Sequence, residues 1–218
     1  MPNTNTAVRV AGTWLAVASS MLVVVLLVHG PLAADLSDQM KMIANRASVW
    51  SGIHWVSAAS FSLYAVTGLV VLTSGSRLVA GSGTMTAWAV LTVSALWIMT
   101  TAVVEATAVT DAAVAGAREM FESWWAFAEG KASGIAFFAL AVAAISRNEA
   151  QSFDRAVPAW SATIAMLAGV ASFTGWALGR WFGINFGNFL WVASSVLMSA
   201  WTFWFGFALT RARVNAVT

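Results

Sequence analysis

Residues 10–28 read VAGTWLAVASSMLVVVLLV, an uncharged run of 19 residues closed by Arg9 on one side and His29 on the other. At 1.5 Å per residue, a helix of that length covers about 29 Å, the thickness of a bilayer's hydrocarbon core. A surface helix of a soluble domain would show a polar face within two turns, and this run has none. It therefore predicts a membrane span. A secretory signal would have a shorter apolar region and a small-residue cleavage site, and Leu32-Ala33-Ala34 is a poor one, so the span is expected to be retained.

Working outward, comparable runs recur along the chain. Together with the first, they predict spans at about 10–30, 50–74, 86–110, 124–146, 157–178 and 184–210. The expected architecture is all-α: one integral membrane domain over 1–218, a six-transmembrane-helix bundle. The composition agrees, with 60% hydrophobic and only 9% charged residues, far outside the soluble range. Between the first two spans, Asp35 stands as an N-cap before Leu36, Met40 and Ile43 at helical spacing, which predicts a short interfacial helix. Asp111 to Ser123, carrying Arg118, Glu119 and Glu122, reads as a further helical stretch in the headgroup region. The small-residue series Gly175, Gly179, Gly183, Gly187 and the stripe Gly12, Ala16, Ser20 read as close-packing faces. One of the two opposed faces of the first span, the stripe or the His29 side, is expected to meet another subunit.

Several function classes fall away. The chain has no cysteine, which excludes disulfides, thiolate metal sites and cysteine nucleophiles. Its 11 Lys+Arg are scattered singly against 9 Asp+Glu, without the basic stripe that tracks phosphates, so nucleic acid is not an expected partner. With the N-terminus inside, Arg9, Arg77, Arg147, Arg155, Arg211 and Arg213 would be cytoplasmic, against Lys41, Arg46, Arg118 and Arg180 outside. That bias predicts a multi-pass protein of the cell membrane with both termini cytoplasmic.

An ionisable group within a span costs about 3 kcal/mol unless it faces the bundle interior or water, so such groups are the candidate site residues. His29 ends the first span, and His54 lies about one turn into the second. Glu105 stands near the end of the third and Glu129 near the start of the fourth. Arg180 and Asn188 join them at the junction of the fifth and sixth. Because consecutive spans alternate direction, all of these reach one leaflet. Helical phase puts Ser94, Thr101 and Glu105 on one face, and His54, Ser57 and Tyr64 within one sector of another. The expected site is thus a polar pocket in the outer half of the membrane, built from Glu105, His54, Glu129, Asn188, Tyr64 and Arg180. It would bind, sense or transport an ion or small molecule, or serve an accessory subunit of a membrane complex, and catalysis is not required.

Two alternatives use the same residues. His29 and His54 would serve as the axial ligands of a b-type haem. Alternatively, His29, His54, Glu105 and Glu129 would hold a metal ion in a membrane hydrolase. No local motif selects a cofactor. The expected partners are the lipid bilayer, an ion or small molecule, and a second copy or another membrane subunit.

Gly130-Lys131-Ala132-Ser133-Gly134-Ile135 resembles the serine motif of rhomboid intramembrane proteases, which also have six spans. The resemblance covers six residues and breaks at Lys131. It implies Ser133 as nucleophile, with a base on a later helix, yet no histidine follows His54.

Overall fold

In the computed structural model, which describes residues 4–30, 32–33, 35–128 and 134–211, helices make up the regular structure and no strand occurs among the described residues. Helix α1 spans Thr4–His29, α2 Leu36–Asn45 and α3 Ala47–Leu72. After a short 3₁₀ turn at Arg77–Val79, α4 (Ser82–Val104) runs through a π-helical turn, Glu105–Val109, into α5 (Thr110–Val114). Then come α6 (Arg118–Ala128), α7 (Gly134–Gln151) and α8 (Ala159–Trp176), the last extended by a second π turn, Ala177–Trp181, and finally α9 (Asn185–Arg211).

Five helical segments are long and apolar enough to cross a membrane: Asn5–His29, Ala47–Leu72, Ser82–Val114, Ala159–Trp181 and Asn185–Arg211. The expected fourth span is not one continuous described helix. Its first residues, from Trp124, belong to the separate amphipathic helix α6, and 129–133 lie outside the described residues. Its remainder, α7, is 18 residues long and carries Arg147 and Glu149 near its end. The expected count of six spans is therefore not confirmed: five helices have the length and apolarity to cross, and α7 is not among them.

Helices α1, α3, α4, α7, α8 and α9 pack each against the next in that order, and α9 closes back on α1. The result is a ring whose neighbours follow chain order, as short connections favour. Its lipid-compatible exterior carries Val24, Leu27, Leu69, Val93 and Leu167, all exposed. The core runs through Leu15, Tyr64, Leu91, Phe138 and Phe205. Near one end, α2, α5 and α6 form a second small cluster around Ile43, Val109 and Phe121, each 0% exposed.

Small residues decide which helices approach most closely. A Cβ on Gly12 would lie 2.6 Å from the Gly206 carbonyl oxygen, and one on Gly206 would lie 2.7 Å from Ala16 N. The first-span stripe thus meets α9 of the same chain. A Cβ on Gly187 would meet Gly179 N at 2.3 Å, and one on Gly175 would meet Trp191 N at 2.4 Å. Gly183 departs from the series: it has a φ of 69° and makes the turn between α8 and α9.

Local signals behave as the sequence predicts around α2. Asp35 Oδ1 accepts the Ser37 and Asp38 backbone N–H groups at 2.8 and 3.2 Å, satisfying two of the donors that a helix start leaves open. Gln39, which pattern alone assigns to no role, is 1% exposed, and its Oε1 accepts the Ala33 N–H at 2.6 Å.

Candidate functional site

Inside one end of the ring lies a cavity of about 510 Å³, within the range of small-molecule sites. Leu22, Phe61, Ile98, Phe138 and Met198 give it an apolar wall, while His29, His54, Glu105, Arg180 and Asn188 gather polar groups on its lining. Ser172 and Ser195 also line it, and their hydroxyls are 2.9 Å apart.

The central pair is His54 and Glu105, 6% and 5% exposed. His54 Nε2 lies 2.7 Å from a Glu105 carboxylate oxygen. His54 Nδ1 is 2.8 Å from the Trp50 carbonyl oxygen. A carbonyl only accepts, so Nδ1 carries a proton and donates it there. Nε2 therefore faces the carboxylate with one proton shared between the two side chains. A glutamate with no Lys or Arg within four residues in sequence has found its partner across the α3–α4 interface.

His29 reaches the same place from α1. Its Nδ1 donates to the Gly30 carbonyl at 3.0 Å, which directs Nε2 away from the backbone in the same manner. Trp50 packs against both imidazoles, with ring centroids 4.8 Å from His29 and 4.5 Å from His54. One ligand-capable atom from each of His29, His54 and Glu105 lies within 4.8 Å of the other two.

Local backbone geometry helps to aim these groups. Glu105 opens the π turn of the third span, and Thr110 Oγ1 donates to the Glu105 carbonyl at 2.7 Å, five residues back. Arg180 sits within the other π turn. A π turn inserts one residue into the helical repeat, and such bulges concentrate at functional sites.

Of the residues expected from sequence, the structure brings His54, Glu105, Arg180 and Asn188 to one cavity, with His29 beside them. Tyr64 is a correction. It is 0% exposed and does not line the cavity. Its hydroxyl instead bonds Ser19 at 2.8 Å and Thr202 at 3.1 Å, tying α1, α3 and α9 together. Glu129, Lys131 and Ser133 lie outside the described residues.

Sequence reasoning passed over Trp191 and Ser172. Trp191 lines the cavity and stands edge-on to Trp176, with centroids 4.9 Å apart. Its indole N–H is buried with no acceptor among the described residues. The sequence places it near mid-depth, outside the interfacial tryptophan belts, but a mid-span tryptophan looks like any other packing residue.

The haem alternative fits poorly. The His29 and His54 ring centroids are 5.2 Å apart in an edge-on arrangement. Two imidazoles on one iron need metal–nitrogen bonds of about 2 Å on opposite faces, which sets their centroids about 6 Å apart with a porphyrin between them. The two rings here touch each other, leaving no layer for a macrocycle. The chain matches no protein-family model, no curated protein and no solved structure, and its functional reading is carried by the side-chain geometry alone.

Proposed function

We propose that this chain is a six-span protein of the cell membrane, with both termini cytoplasmic, whose cavity binds a small amphipathic molecule. In this reading α7 supplies the remaining span. One observation carries the proposal: a 510 Å³ cavity that combines an apolar wall with a buried His54–Glu105 pair and the Arg180 cation. Burying such polar groups in a bundle interior is costly, and a ligand with a polar head and an apolar body is complementary to both parts of the lining. A lone inorganic ion would leave the apolar wall without a role. Arg180 and the Trp191 N–H favour a head that accepts hydrogen bonds, such as a carboxylate or phosphate.

The test is a thermal-shift series with alkyl carboxylates, alkyl phosphates and alkylamines of graded chain length. It compares the purified protein with Val192→Trp, a change at a cavity-lining residue that is 36% exposed and so tolerant of bulk. Stabilisation by acid- or phosphate-headed probes, lost in Val192→Trp, supports the reading. Equal shifts in both proteins, or none in either, overturn it.

A further inference from the structure

The geometry points to a divalent transition-metal site at the polar end of this cavity, with His29, His54 and Glu105 as its three protein ligands and its remaining coordination positions facing the bound molecule. The inference rests on the pocket reading for what occupies those positions, and on the three side chains alone for the metal.

The donor set is two imidazoles and one carboxylate, the set that holds catalytic zinc and non-haem iron with positions left open. Three independent elements supply it: the end of α1, the second turn of α3 and the π turn after α4. Both imidazoles donate Nδ1–H to a backbone carbonyl, His29 to Gly30 at 3.0 Å and His54 to Trp50 at 2.8 Å. That outer hydrogen bond fixes the tautomer in which Nε2 presents its lone pair to a metal, and it is a recurrent feature of metal-ligating histidines. Trp50, packed on both rings, holds their orientation.

The separations are also suitable. The ligand-capable atoms fall within 4.8 Å of one another. Ligands about 2.1 Å from one ion at tetrahedral angles sit about 3.4 Å apart. The His54 to Glu105 contact of 2.7 Å is shorter than that because a proton bridges the two atoms. A metal ion replaces that proton, so the pair separates by roughly 0.7 Å while His29 moves inward.

The surroundings restrict the ion and its fourth ligand. Without cysteine there is no thiolate to favour copper(I), and a nitrogen-and-oxygen set suits zinc, iron(II) or manganese(II). Arg180 cannot ligate a metal. A divalent ion held by two neutral imidazoles and one carboxylate keeps a positive charge and draws an anionic head group. That head would complete the metal's coordination, beside Arg180 and Asn188, while its chain runs along Phe61, Phe138 and Met198.

The experiment is metal analysis and cobalt(II) titration of the full chain in detergent, after chelator treatment and reloading with zinc(II), iron(II) or manganese(II). Wild type is expected to retain about one ion per chain and to give a tetrahedral or five-coordinate cobalt(II) absorption band. His29→Ala, His54→Ala and Glu105→Gln should each weaken binding at least tenfold and remove or shift the band, whereas Tyr64→Phe leaves both unchanged. Circular dichroism and thermal unfolding without metal establish that the variants fold, and Glu105→Asp covers the case in which Glu105→Gln does not. Failure of wild type to retain an ion, or retention equal in His29→Ala and Glu105→Gln, overturns the metal site. Probe-induced stabilisation that survives chelation in wild type refutes the metal's part alone. An ion that binds while no amphiphile shifts the cobalt band refutes the proposed fourth ligand and the pocket reading, leaving the metal site standing.

Discussion

Replacing Glu149 by alanine should destabilise this protein by breaking a buried ion pair. Glu149, near the end of α7, is 2% exposed at its side chain and pairs with Arg77, which lies 72 residues earlier in the connection between α3 and α4. The contact is two-pronged, with Arg77 Nη1 at 2.9 Å from one carboxylate oxygen and Nη2 at 3.2 Å from the other. The Ala156 N–H also donates to the carboxylate, fixing the chain between α7 and α8. Each hydrogen bond to a charged group contributes about 1.5–3 kcal/mol, so three of them bound the loss near 4.5–9 kcal/mol. Arg77 is 16% exposed at its side chain, so its guanidinium regains part of its hydration when the partner is gone. That recovery brings the expected cost down to about 3 kcal/mol, at the lower end for a broken buried pair. The folded-to-unfolded ratio then falls on the order of 10²-fold, and the unfolding midpoint falls by roughly 6–12 °C. The assay is denaturant and thermal unfolding in detergent micelles, followed by tryptophan fluorescence and circular dichroism. Glu149→Gln, which keeps an acceptor for Ala156, should fall between wild type and alanine. The double variant Arg77→Ala, Glu149→Ala should cost clearly less than the sum of the singles. A Glu149→Ala loss below about 1 kcal/mol, or additive behaviour of the double variant, would refute the assignment of a buried, coupled ion pair.

Tyr64→Phe removes a hydroxyl bonded to Ser19 and Thr202. Interhelical hydrogen bonds in membranes average about 0.6 kcal/mol, so a loss of about 1 kcal/mol is expected, with amphiphile binding unchanged; altered binding at unaltered stability would restore Tyr64 to the pocket. Gly187→Leu drives a side chain into Gly179 N and the Gly175 carbonyl, 2.3 and 2.7 Å from the new Cβ. Parting α8 from α9 should cost about 1–3 kcal/mol by unfolding in micelles; a neutral result would mean that the two helices do not touch there. Asp35→Ala, which deprives α2 of its cap, should cost about 1 kcal/mol and speed local hydrogen exchange in Leu36–Asn45; unchanged exchange there contradicts the cap's role. Reporter fusions at Thr218 and in the Gly81 connection should both report cytoplasm, and an extracytoplasmic signal at either reverses the orientation.

The amino-acid sequence by itself determined that this chain is helical and suited to a membrane. Runs such as residues 10–28 have no other way to satisfy their backbone in an apolar surround, and that requirement is local. It also determined the cap at Asp35, another local effect. The convergence of His54, Glu105, Arg180 and Asn188 on one end followed from counting residues between polar groups and alternating the direction of the helices. Only the tertiary structure decided which way each polar group faces. In a helix that is apolar on every side, no hydrophobic face sets the rotation, so the phase of α3 or α4 is set by its neighbours. The π turn at Glu105–Val109 then adds a residue to the repeat, which a uniform 100° step does not anticipate. Tyr64 shares a sector with His54 by that count, yet lies ten residues further along, where α1 and α9 supply Ser19 and Thr202. The Arg77–Glu149 pair and the closure of α9 onto α1 through Gly12 and Gly206 join residues far apart in the chain. Such contacts depend on how the helices are ordered around the ring, and that order is a property of the packed bundle, which no single span encodes.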